Sequence, residues 1–213
     1  MSHNTTSAMI TPVSSRPAEP QLYESRQIKT APADVTVRLL HHTEWRLYRE
    51  TRLAALRDAP HAFLARYEEE RSYEDSMWRL PMIRARRFIA ERGDDAVGMV
   101  CLGLHNNDPE IGELFALWTA PAVRGENVAH ALVSAAAMQA AEDGCRLLYY
   151  WAISDDATAI GFASYFGFRP SAKRRPARVA KGTDAYDADE VAMVLPLTAD
   201  PTQSPNPYMA FHS

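Results

Sequence analysis

An α/β domain built on a mixed sheet is the fold this sequence predicts, and three observations carry the prediction. Short β-type runs stand close together over residues 87–119, separated by tight polar turns, which makes them antiparallel neighbours. An Ala-rich segment with Val128, Leu132 and Ala136 at helical spacing then runs to Gly144. Leu147-Leu148-Tyr149-Tyr150-Trp151-Ala152-Ile153 follows, a continuous apolar run of the kind expected of a strand buried on both faces. The result is a strand–helix–strand crossover at the centre of the sheet.

The elements follow in order. Val35–Leu40 alternates as a strand. Thr43 is placed to cap a helix whose apolar face is Trp45, Leu47, Tyr48, Leu53 and Leu56, with Glu44 in its first turn and Pro60 at its end. After a loop through Phe63, Ser72-Tyr73-Glu74-Asp75 resembles a capping box, and Pro81 should close or kink the helix it opens. Arg87–Glu91 and Ala96–Leu104 are joined by Gly93-Asp94-Asp95, and the polar loop His105–Pro109 leads to Gly112–Thr119. A short helix over about Asp156–Phe166 stops at Gly167, and a last hairpin covers Phe168–Leu197.

Composition bounds the function. The chain has 213 residues with a formal net charge of −4, enough for one domain with a core and without the basic footprint that nucleic-acid binding needs. No apolar run is long enough to span a bilayer. Met1–Asp34 lacks the apolar stretch of a secretory signal, so a cytoplasmic location is expected. Cys101 and Cys145 lie in apolar surroundings without a CxxC spacing, and are read as buried thiols rather than a disulfide. Seven of the 14 prolines fall near the two ends. Residues 1–34 are read as a disordered arm, 35–198 as the folded domain and 199–213 as a flexible tail.

The most informative stretch is Leu117-Trp118-Thr119-Ala120-Pro121-Ala122-Val123-Arg124-Gly125-Glu126-Asn127-Val128-Ala129. A strand enters a tight turn, and the turn enters a long helix. Free N–H groups and the positive dipole end at such a helix start form a site for an anion. Gly125 and the small Ala129 let a bulky phosphate approach the backbone. A nucleotide P-loop is excluded, because no GK[ST] follows.

This segment resembles the acyl-CoA-binding motif of the GNAT acyltransferases, with Pro121, Arg124, Gly125 and Ala129 in the places of its V-x-P-x-x-R-G-x-G-x-G/A pattern. Asn127 stands where that family has its middle glycine, and asparagine is the non-glycine residue that best tolerates positive φ there. The resemblance spans about 36–197. It includes Arg57-Asp58-Ala59-Pro60-His61-Ala62-Phe63, similar to the loop bordering the family's acceptor cleft, and Gly167-Phe168. Asp156 and Ala159 occupy the Asn and Ala positions of its N-x-x-A pattern.

The resemblance implies a mostly antiparallel sheet of six to seven strands flanked by about four helices, splayed between the fourth and fifth strands. It implies acetyl-CoA as acyl donor, without a metal, and an amine as acceptor. The coenzyme would lie on Leu117, Trp118, Thr119, Arg124, Gly125, Glu126, Asn127, Val128, Ala129 and Asp156. Glu113, six residues before Thr119, matches the family's catalytic glutamate, with Glu110 as alternate. Its general-acid tyrosine is replaced by Ala163; Tyr165, two positions on, should face elsewhere, leaving Ser164 or water. A longer acyl donor, such as succinyl-CoA, and a non-catalytic acyl-CoA-binding domain are the alternatives; a homodimer is an open assembly state.

Two groups invite over-reading. His41-His42 and His61 lack Cys or carboxylate partners at ligand spacing. The basic run Lys173-Arg174-Arg175, Arg178 and Lys181 precedes Asp184, Asp187, Asp189 and Glu190, and reads either as a solvated hairpin or as a contact for an acidic acceptor or a coenzyme phosphate.

Overall fold

The structure is a computed structural model that describes residues 31–63, 65–177 and 189–197. In chain order the elements are β1 (Val35–Leu39), α1 (Trp45–Asp58), α2 (Tyr67–Arg71), α3 (Asp75–Arg84), β2 (Arg86–Arg92), β3 (Asp95–Leu104), β4 (Ile111–Thr119), α4 (Val128–Glu142), β5 (Leu147–Ile153), α5 (Ala157–Phe166), β6 (Arg169–Pro176) and β7 (Asp189–Pro196). The seven strands form one sheet in the order β1-β2-β3-β4-β5-β7-β6. Every pairing is antiparallel except β4 with β5, because α4 carries the chain back across the sheet between them.

Period-two alternation divides the sheet into two faces with separate cores. Leu102, Leu114, Leu148 and Met193 pack with Leu132, Val133 and Ala136 of α4 and with Phe166 of α5. Ile89, Met99, Cys101 and Trp118 face the other way, against Trp45, Tyr48, Ala55, Trp78 and Met82 of α1 and α3. Gly112 shows how tightly α4 sits: a Cβ there would lie 3.0 Å from Leu148, 3.2 Å from Leu102 and 3.4 Å from Ala140. Cys101 and Cys145 are free and buried. Among the described residues, no helix is long and apolar enough to cross a membrane.

Local details differ from the sequence expectations. Thr43 is not the cap. His41 forms a reciprocal capping box with Glu44 around the turn His42–Glu44, and α1 starts at Trp45 without a side-chain cap. Ser72 does not open α3 either, because its hydroxyl donates to the Glu69 carbonyl at 2.7 Å and closes the short α2. Pro81 lies inside α3, which continues to Arg84. Within Leu147–Ile153, Leu148, Tyr149 and Ala152 are buried and Trp151 is half-buried; His105, Lys173 and Arg175 pack on the Tyr149 and Trp151 rings. The predicted arm and tail, apart from residues 31–34, lie outside the described residues, as do Arg178, Lys181, Asp184 and Asp187.

α2 is pinned to α1 by an enclosed ion pair. Arg52 Nη2 donates to Glu70 Oε1 at 2.8 Å, with 11% of each side chain exposed, and its guanidinium lies over Phe63. Glu70→Ala would leave that cation without its carboxylate. A loss of about 3 kcal/mol is expected, read as a lower urea midpoint at unchanged slope.

Candidate active site

β4 is the strand that makes a cleft. Its ladder with β5 runs only from Ile111↔Leu147 to Leu114↔Tyr150. Beyond that point β4 stays with β3, through Trp118↔Met99 and Thr119↔Gly98, while β5 stays with β7. The register with β3 shifts between Met99 and Cys101, and Ala116 takes the extra residue at φ 54°. This is a β-bulge, which bends its strand away from the neighbour. Leu117, Trp118 and Thr119 therefore present backbone toward an opening between β4 and β5.

The opening leads to the start of α4. Gly125 has φ 83° and Asn127 φ 63°, so the turn keeps two left-handed residues, the second a non-glycine that tolerates the region well. Asn127 is the N-cap, but no side chain caps α4. Its first-turn N–H groups have no intrahelical partner. The neighbouring α5 differs, because there the Asp156 carboxylate accepts from Thr158 N and Ala159 N, both at 3.0 Å. Asp156 thus serves as a helix cap, whereas the start of α4 has no side-chain cap. The side chains of the turn are tied to the body. Arg124 pairs with Asp58, which also accepts from Trp118 Nε1 at 2.8 Å. Glu126 pairs with Arg92, and Arg92 with Asp34. The Val128 side chain is buried in the core and anchors the first turn of α4. Asn127→Gly removes the strain of a side chain at positive φ, and acetyl-CoA affinity measured by calorimetry is expected to stay unchanged or tighten.

His130, in the first turn of α4, is buried against Phe166 and Tyr165. Burial pushes its pKa below the ordinary value. Above about pH 6.5 both folded and unfolded states hold it neutral; below that, the unfolded chain takes a proton that the folded chain resists. Stability should fall as pH drops through this window until the folded value is passed. His130→Gln should flatten that part of a melting-temperature profile.

On the other side of the cleft, Glu113 points to the face beside α1 and α3. It is paired across the ladder with Gly103 and Tyr149. Its carboxylate is 17% exposed, 2.7 Å from His105 Nδ1 and 3.6 Å from Arg175 Nη1. Arg175 bonds Glu190 at 2.5 Å and lies over the Trp151 ring at 4.0 Å. Lys173 lies over Tyr149. Among the described residues of the basic run, Arg175 of β6 reaches Glu113 and Glu190, while Arg174 turns aside to Ser154. Glu110 stands before β4, paired with Arg146. Tyr165 is exposed beside His130 while Ala163 is buried. Reading the sequence missed His105, and placed Asp58 and Arg175 only within the cleft-bordering loop and the basic run, without their partners Arg124 and Glu113. Alternation of Tyr149 and Trp151 on β5 was the available signal, since two aromatics on one face call for a covering layer.

A cleft edged by free strand backbone and ending at an uncapped helix start suits an extended, phosphate-bearing coenzyme. This is the architecture of acyl-CoA-dependent N-acyltransferases. The profile of the Acetyltransferase (GNAT) family matches residues 40–168, and the chain belongs to that family. Among solved structures it is similar in fold to yncA of Salmonella typhimurium, determined with its cofactor acetyl-CoA (TM-score 0.60, 18% identity, 78% of this chain and 95% of that one). An N-acetyltransferase of Staphylococcus aureus Mu50 gives 0.58 at 17% identity over 77% and 99%. The ribosomal-protein-S18-alanine N-acetyltransferase of Escherichia coli gives 0.55 at 18% over 78% and 96%. No curated protein matches the sequence.

Proposed function

We propose that the chain transfers the acetyl group of acetyl-CoA to a primary amine by direct attack in a ternary complex, with Glu113 as general base. The observation that carries this reading is the position of Glu113. It stands one residue before the last β4–β5 pair, Leu114↔Tyr150, at the point where the cleft opens. The pantetheine would run along Leu117–Thr119, with its phosphates at Gly125–Ala129, so that the thioester reaches the mouth of the opening. A lysine-type amine has a pKa of about 10.4 and must lose a proton to attack. Glu113 takes that proton, and the contact with His105 Nδ1 offers it a path onward. The nitrogen adds to the thioester carbonyl, the C–S bond breaks, and CoA leaves as a thiolate that takes a proton from water. Backbone N–H groups beside the bulge would hold the developing oxyanion.

A second reading, a non-catalytic acyl-CoA binder, is favoured by one observation: Arg175 holds the Glu113 carboxylate as a counter-ion. The two separate by free-CoA release from acetyl-CoA across a panel of primary amines. Amine-dependent release is expected. Tight acetyl-CoA binding with no release for any amine would establish the binder.

A further inference from the structure

Seven large apolar side chains are exposed among the described residues, and six of them share one region: Leu39, Met77, Leu80, Ile83, Leu104 and Phe115. Scattered exposed apolar residues need no explanation, whereas a contiguous patch marks a binding surface. Here Met77, Leu80, Leu104 and Phe115 line a groove of about 520 Å³ between α3 and the β3–β4 ladder, within the range of small-molecule sites. The groove continues into the candidate active site. Gly103 lines it and is the cross-strand partner of Glu113. Phe115 shares a sheet face with Glu113, two residues along β4, and stands where β4 has just left β5.

The groove also has a charge. Arg84 and Arg87 line it, and no acidic residue does. Arg87 is only 5% exposed. Its Nη1 donates to the Pro81 and Ala85 carbonyls, both at 2.5 Å, and its guanidinium lies over Tyr48. No carboxylate pairs with it among the described residues, and its Nε is buried without a hydrogen-bond partner. A buried cation lacking a counter-charge is costly unless an anion reaches it. Arg87 and Phe115 are both in register with Cys101. Their backbones are therefore two strand spacings apart, roughly 10 Å.

We propose that this groove receives the far end of the acceptor. The acceptor is then an elongated amphipathic amine: a primary amine at Glu113, an apolar body over Leu80, Leu104 and Phe115, and an anionic group at Arg84 and Arg87. The same charge disfavours polycationic acceptors such as polyamines. This inference rests on the acetyl-transfer reading above.

The test compares 4-(4-aminobutyl)benzoate, its neutral carboxamide and spermidine as acceptors with acetyl-CoA. The benzoate should exceed the carboxamide roughly 10–100-fold in kcat/KM, the effect of one charge-assisted contact. Arg84→Gln should lower the ratio several-fold while Arg87 keeps part of it, and Leu80→Asp, at an exposed helix position, should raise KM for both aryl amines. Equal use of benzoate and carboxamide, or preference for spermidine, would overturn the proposal. If no amine is acetylated, the acetyl-transfer reading fails, and the groove is decided by calorimetric titration of 4-(4-acetamidobutyl)benzoate. Binding weakened by Arg84→Gln would uphold the groove; no binding would overturn it.

Discussion

Replacing Glu113 with Gln is expected to lower kcat/KM roughly 10²–10⁴-fold, the usual contribution of a positioned general base. Shape is kept and basicity is lost. The amide can still meet His105, which lies 2.7 Å away, so the fold should hold. Acetyl-CoA affinity should hardly change, because the carboxylate lies on the sheet face opposite α4 and addresses the amine. The deficit should shrink as pH rises, since more of the acceptor is then already neutral. A pH–rate profile of variant and parent checks this. Tyr165→Phe should matter little, because Tyr165 lies against His130, on the α4 side of the sheet. A large effect there with none at Glu113 would transfer the proton chemistry to the α5 side.

The second large effect is expected at Gly125. A Cβ at this position would meet no atom within 4 Å, so the space beside it is open where the phosphates are to lie. Gly125→Val fills that space and forces a β-branched residue to φ 83°, a genuine outlier for such a side chain. Coenzyme affinity should drop by about 100-fold or more, as two or more charge-assisted contacts are lost. Thermal stability should fall only modestly, because Gly125 itself packs no side chain into either core. Calorimetric titration with acetyl-CoA and a melting curve separate the two effects. Unchanged affinity would place the phosphates elsewhere.

How legible was this in the sequence? The sheet, the crossover and the left-handed turn into α4 were, because each has a short-range signal: period-two alternation, small residues on a long helix, and glycine with asparagine at a helix start. Helix beginnings were less so. His41 and Ser72 took roles that depend on which backbone group lies nearest, and a one-residue change in geometry decides that. The surroundings of Glu113 were not legible at all. Arg175 is 62 positions away and reaches it only through β7 and β5, and Asp58 meets Arg124 across 66 positions. Such contacts follow from sheet order, which no local pattern encodes. Asp156 was read by resemblance as a coenzyme contact, while its local chemistry, an acidic residue before a short apolar helix, pointed to the cap that the structure shows.

The bulge that opens the cleft rests on an alanine. Ala116 sits at φ 54°, a region that costs an L-residue about 1–2 kcal/mol. Glycine would relieve that cost but would surrender about 0.5–1 kcal/mol of backbone entropy on folding. The two nearly offset each other, so Ala116→Gly should leave the melting temperature within a few degrees. The difference lies in stiffness. An alanine held left-handed by its neighbours has few other conformations to visit, whereas a glycine has many. The chain therefore keeps its coenzyme slot shaped before any ligand arrives, and binding meets less ordering entropy. Loosening that single residue should show itself in a slower, entropically costlier capture of acetyl-CoA while the protein remains as stable as before.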